Sequence, residues 1–202
     1  MRKAAFIFAV VSVCLCAVLL YWFEKKKKIT VHRLMMIAVM TGAAVAGRFV
    51  FAAVPGFKPV TAVVVLCGMY FGADAGFMCG ALTALVSNIY FGQGPWTPLQ
   101  MLVWGLLGAL AALLSPILKK NRFFLALYGV VAGVLFSLLM DVYTVIWTLD
   151  GWSFYVYLAA IASALPYTVI YAVSNVIFLI GLSVPFAKKL ERTERRCYNL
   201  YS

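Results

Sequence analysis

Pro55-Gly-Phe-Lys-Pro-Val-Thr61 and Ser87-Asn-Ile-Tyr-Phe-Gly-Gln-Gly-Pro-Trp-Thr-Pro-Leu-Gln-Met101 are two polar, ring-bearing stretches separated by almost wholly apolar sequence. Pro55 and Pro59 flank Gly56 in the first, and Gly92, Gly94, Pro95 and Pro98 punctuate the second, so neither continues a helix through its centre. Val60 to Phe71 and Ala73 to Phe91 read as two apolar helices broken only at Gly72. Two successive crossings return the second turn to the side of the first, which is how a binding mouth is built.

Hydrophobic residues make up 65% of the 202-residue chain and charged ones 11%, a balance that places it among integral membrane proteins. A hydrocarbon slab of about 30 Å needs roughly 20 apolar residues per helix. Seven segments approach that length: Ala4 to Phe23, Val31 to Ala53, Val60 to Phe71, Ala73 to Phe91, Thr97 to Leu118, Phe123 to Trp147 and Phe154 to Ala187. No ten-residue alternating pattern recurs, so helices rather than barrel strands satisfy the backbone in lipid. The expected fold is all-α integral membrane, a six-helix core plus one additional N-terminal transmembrane helix. Arg2 and Lys3 before an apolar run also fit a signal peptide, but no small-residue cleavage pattern follows. Residues 1–30 are therefore expected to be an anchor with a Lys-rich linker, 31–189 a substrate-binding membrane domain, and 190–202 a basic tail.

Basic residues hold their segments on the cytoplasmic side. With Lys25 to Lys28 inside, six crossings also place Lys119, Lys120, Arg122, Lys188, Lys189, Arg192, Arg195 and Arg196 inside, and with Arg33 that is thirteen of seventeen. The expected protein is multi-pass in the cell membrane with a cytoplasmic C-terminus. The net charge of +11 then reflects topology and anionic membrane lipid, with no nucleic acid partner. Cys14, Cys16, Cys67, Cys79 and Cys197 show neither metal spacing nor a disulfide framework, and His32 sits beside the lysine run as an interfacial residue. No metal and no cofactor is expected.

Three loops face outward: Val54 to Pro59, Gly92 to Pro98 and Thr148 to Ser153. Lys58, held between Phe57 and Pro59, either offers one ammonium to an acidic or carbonyl-bearing ligand or simply reaches water. Tyr90, Gln93, Trp96, Gln100 and Trp104 around the second loop combine rings with amides, as a site for a flat, heteroatom-rich molecule requires; interfacial anchoring is the plainer reading. Trp152 in the third loop is a weaker candidate. Arg48 and Asp141 are intramembrane charges at similar expected depth, and an Arg48 to Asp141 ion pair beneath the mouth is expected, as a clamp or as a ligand-reading element, with Asn88 nearby. Asn175 reads as a helix-to-helix hydrogen bond. Ala38, Gly42 and Ala46 form a four-residue stripe that permits close approach of a partner helix, while Gly129 and Gly133 repeat the spacing for internal packing.

Over residues 31–189 the chain resembles the substrate-binding S components of energy-coupling factor (ECF) vitamin transporters. The resemblance is carried by the Ala38, Gly42, Ala46 stripe, Pro55 to Ala62, Gly72-Ala-Asp-Ala-Gly-Phe77 and Ser87 to Met101. It implies a six-helix S-component core, a vitamin substrate, a membrane T component and two cytoplasmic ATPases as partners, and T-component contact through Ala38, Gly42 and Ala46. Position 42 is Gly where the family's Ala-x-x-x-Ala motif has Ala. The Gly94-Pro-Trp-Thr-Pro98 loop looks most like cobalamin-type members, with riboflavin and other vitamins as alternatives.

Other classes fit less well. The chain has no phosphate-cradling Gly-x-x-x-x-Gly-Lys-Ser/Thr sequence, as expected if the motor is a separate subunit. An intramembrane enzyme needs a paired nucleophile and base or two carboxylates, and Asp141 stands alone. A channel needs repeated polar positions along one helix, and a scaffold does not explain two rigid loops bearing Trp and Gln.

Overall fold

Residues 3–26 and 30–201 are described by the computed structural model, side chains at 23, 24, 26, 32 and 191–201 excepted. The expectations for Lys26 to Lys28, His32 and the basic tail beyond residue 190 lie outside the described residues. Among the described residues eight helices follow in order: α1 (Lys3–Lys26), α2 (Val31–Val50), α3 (Val60–Phe71), α4 (Ala73–Phe91), α5 (Thr97–Leu113), α6 (Ser115–Lys120), α7 (Arg122–Leu149) and α8 (Phe154–Tyr201). No strand occurs among the described residues. Within the described residues, four helices are long and apolar enough to cross a membrane, over Lys3–Trp22, Arg33–Val50, Arg122–Leu149 and Phe154–Leu190, with shorter apolar helices between them. This is the expected helical membrane architecture.

Three boundaries differ from expectation for local reasons. The segment expected over Thr97 to Leu118 is two helices, because Pro116 at the start of α6 lacks the amide that would bond back across Leu114. α2 stops at Val50, and residues 51–54 form tight turns closed by Ala52 N to Phe49 O and Val54 N to Phe51 O, ahead of Pro55. α8 continues through Pro166 and Pro185 to Tyr201, well past Ala187.

α3 is the axis of the bundle. Its residues from Val60 to Met69 are all buried, which suits a helix apolar all round. At 12 residues it spans about 18 Å, and its neighbours rather than lipid cover its ends. Glycines bring α3, α4 and α5 together backbone to backbone: a Cβ on Gly68 would meet Gly108 O at 1.9 Å, and one on Gly76 would meet it at 2.6 Å. In lipid such close approach supplies the dispersion contact that holds helices together. The same device joins α7 to α8, where a Cβ on Gly133 would meet Ala172 N at 2.7 Å. The internal-packing reading of Gly129 and Gly133 is therefore right, and Asn175 adds its expected bond, donating Nδ2 to Gly129 O at 3.2 Å.

α1 lies against α4, α5 and α7 and, among the described residues, makes no contact with α2. Cys16 joins Phe77, Ala81 and Ala109 in a small cluster of its own. The Asp150 carboxylate, in the turn after α7, accepts from Ala4 N at 2.7 Å, so the start of α1 and the α7–α8 loop share one end of the bundle. At the opposite end Arg33 of α2 pairs with Asp74 of α4 and donates to Phe71 O at 2.8 Å, clasping the α3–α4 corner.

Candidate functional site

Arg48 occupies the last turn of α2, and its guanidinium turns inward rather than toward lipid. It donates to Ser87 Oγ and, at 2.8 Å, to Asn88 Oδ1, both on α4. Asn88, only 1% exposed, donates Nδ2 to Thr97 Oγ1 at 3.0 Å and to Gln100 Oε1 at 2.7 Å on α5. Thr97 Oγ1 also accepts from Gly94 N at 3.3 Å, which ties the second loop to the same cluster. Three helices and one loop thus share a buried polar chain. In a low-dielectric interior such a chain is held in one geometry because every alternative leaves a polar group bare.

Aromatic rings enclose the cation. Arg48 Cζ lies 4.6 Å from the Phe91 centroid and 5.5 Å from that of Trp104. Trp104 stacks on Phe136 at 5.3 Å and 12°, and Phe136 meets Tyr171 edge-on at 5.5 Å. The first loop closes over this floor. Gly56, at φ +80, permits a turn tight enough for the loop to rest on Ile170 and Tyr171 of α8. Lys58 N donates to Ser174 Oγ at 2.9 Å, and the same hydroxyl donates to Lys58 O at 3.1 Å. Lys58 Nζ then sits 5.6 Å from the Phe91 ring. Burial first, and the Arg48 charge second, push the Lys58 ammonium below its usual range.

Between loop and floor is a void of about 30 Å³, lined by Lys58, Trp104, Phe136, Tyr171 and Asn175 among others. That is room for about a water molecule. Arg48 Nε, Trp104 Nε1 and Asp141 Oδ2 are among the buried polar atoms without a hydrogen-bond partner, as are Arg33 Nε and Thr41 Oγ1 elsewhere. Such groups are rare in native structures.

The expected Arg48 to Asp141 ion pair is not formed. α2 ends three residues early, and the Arg48 side chain reaches across to α4 rather than to Asp141 on α7. Arg48 is instead satisfied by Ser87 and Asn88.

The structure gathers Arg48, Lys58, Asn88, Gln100 and Trp104. Trp96 is half-buried at the start of α5, its ring 6.5 Å from Tyr143. Gln93 folds back to donate to Leu85 O at 2.7 Å, and Tyr90, 73% exposed, packs on Phe49 and on the Phe91 ring at 5.2 Å without a hydrogen bond to Arg48. Trp152 is exposed and rests on Tyr157 in the α7–α8 loop. Ser87, Thr97 and Phe91 join the site unforeseen, although each lies within or beside the two polar stretches. Phe136 and Tyr171 carried no sequence signal, being rings within apolar helices.

Ala38, Gly42 and Ala46 are exposed on α2, and a Cβ on Gly42 would meet nothing within 4 Å. The two small-residue patterns, identical in spacing, thus differ in setting: one is filled internally, the other faces open space. α1 leaves the open one uncovered.

Among known families, the model described as ECF-type riboflavin transporter, S component, matches residues 28–192. No curated protein and no solved structure matches the chain.

Proposed function

The chain belongs to the family of ECF-type riboflavin transporter S components, and from that premise we propose that it captures riboflavin for uptake driven by separate ATPases. The family is one of transporter subunits, not of enzymes. The family match also corrects the substrate expectation: it is of riboflavin type, and the cobalamin reading of the Gly94 to Pro98 loop has no support.

The family match carries this reading, and the site chemistry agrees with it. Riboflavin is a flat fused-ring system with carbonyl and ring-nitrogen acceptors, one ring N–H and a hydroxylated chain. Stacked Trp104 and Phe136 offer a surface for the rings. Arg48 Nε and Trp104 Nε1 are buried donors for its acceptors, and Asp141 Oδ2 is a buried acceptor for an N–H or hydroxyl. Sites for small molecules usually enclose about 300–1,000 Å³, so the void under Lys58 must widen as the ligand enters. The first loop is tied to α8 by the two Ser174 bonds and by packing of Gly56 on Ile170 and Tyr171. Asn88 and Gln100 act by holding Arg48 in place.

A membrane T component and two cytoplasmic ATPases complete the proposed importer, with Ala38, Gly42 and Ala46 as the T-component contact and the C-terminus cytoplasmic. Titrating the purified protein with riboflavin while following flavin fluorescence tests the reading. Saturable quenching at one flavin per chain is expected, weakened at least tenfold by Trp104→Ala or Arg48→Gln. Stabilisation by cobalamin with none by riboflavin would refute it.

A further inference from the structure

A second cavity, about 660 Å³ and far larger than the first, lies on the flank of the bundle. α2 and α8 stand apart there, with α3 as the floor between them. Its walls are apolar: Met36, Val39 and Ala43 from α2, and Phe178 and Leu182 from α8. The trough has two unlike ends. Toward the loop end it is shut by three rings, with Phe51, Phe57 and Phe178 centroids 5.1–5.7 Å apart. Toward the basic end Lys189 forms part of its lining. A second lysine is close by: Lys119 Nζ lies 4.5 Å from the Tyr70 ring, which meets the Phe186 ring at 5.2 Å, and Phe186 lines the trough.

We propose that this trough is a binding site for an anionic phospholipid, one acyl chain lying between α2 and α8 and the headgroup phosphate held by Lys189 and Lys119. An apolar slot closed at one end and cationic at the other fits a molecule that is itself an apolar chain with a negative head. Basic pockets between transmembrane helices on the cytoplasmic side are suited to such headgroups. The closed ring end sets the direction, so the lipid comes from the leaflet on the lysine side. A neutral zwitterionic lipid has the same chain but lacks the net charge, and therefore gains less. The site is separate from the Arg48 cluster and does not depend on riboflavin being the substrate.

Native mass spectrometry of the purified, delipidated full-length protein titrated with phosphatidylglycerol or phosphatidylcholine tests the proposal. Wild type is expected to retain phosphatidylglycerol with at least tenfold preference. Lys189→Gln should lower phosphatidylglycerol affinity roughly fivefold, and Lys119→Gln with it roughly twentyfold, without changing phosphatidylcholine. Ala43→Trp, which fills the slot but leaves both lysines, should weaken both lipids. Equal retention of the two lipids by wild type, or an unchanged preference in the double lysine variant, would overturn it. Undiminished binding by a folded Ala43→Trp protein would also overturn it, because the head would then be held without the trough. Circular dichroism of each variant separates loss of binding from loss of fold.

Discussion

Asn88→Ala is the most demanding perturbation of the polar cluster. Asn88 accepts from Arg48 at 2.8 Å and donates to Thr97 and Gln100 at 3.0 and 2.7 Å, all in a nearly fully buried position. A hydrogen bond to a charged group contributes about 1.5–3 kcal/mol. Interhelical polar bonds in membrane proteins average about 0.6 kcal/mol each. Losing one of the first kind and two of the second gives about 3–4 kcal/mol. For a protein of this size about 1 kcal/mol corresponds to 2–4 °C, so the melting point should fall by about 6–16 °C. Asn88→Asp keeps an acceptor toward Arg48, and Gln100 can turn its amide to donate to the new carboxylate, so its loss should stay within about 1 kcal/mol. Thermal unfolding in detergent, read by tryptophan fluorescence beside flavin quenching, measures both consequences. If Asn88→Ala melts within about 2 °C of wild type, or Asn88→Asp is as damaged as Asn88→Ala, the cluster does not organise the site.

Gly133→Ala should lower stability by roughly 1–3 kcal/mol, because its Cβ would strike the Ala172 backbone at 2.7 Å and force α7 from α8. Gly42→Leu, with open space around it, should leave folded yield unchanged yet abolish co-purification with a T component; a folding defect would contradict the exposed stripe. Lys58 should become reactive toward an acylating reagent at lower pH than a free lysine side chain, as its burial and Arg48 both disfavour the ammonium. The sign follows for stability: a depressed lysine weakens the fold while protonated, and stability recovers as pH rises through its folded pKa. Arg48→Gln should move the labelling profile upward, whereas a profile matching free lysine in wild type would refute the buried placement. A double-mutant cycle on Arg33→Gln and Asp74→Asn should give a coupling of about 1 kcal/mol by thermal unfolding; zero coupling would mean that the half-buried pair does not clasp the α3–α4 corner.

Much of the architecture was legible in the residues themselves. Apolar length, Gly and Pro punctuation and the absence of alternation determined helices and most of their ends, since lipid leaves a backbone few options. Pro116 was equally visible, and its break of α5 from α6 follows from one missing amide. The site was partly legible: Lys58, Asn88, Gln100 and Trp104 were found because polar groups stand out in an apolar chain. Partnership was not. Arg48 was matched to Asp141 on expected depth, yet the packing of α2 on α4 put Ser87 and Asn88 within its reach.

Spacing alone made Gly42 and Gly133 equivalent, and only the packing of helices distant in sequence set one facing outward and the other against Ala172. Phe136 and Tyr171 became a wall of the site for the same reason, as rings in apolar helices acquire a role only from what they face. Sequence by itself determined the solvent, the helices and the kind of chemistry available. Tertiary structure decided which charges meet, which faces stay open and where a cavity lies, because those depend on distances between segments that no local pattern encodes.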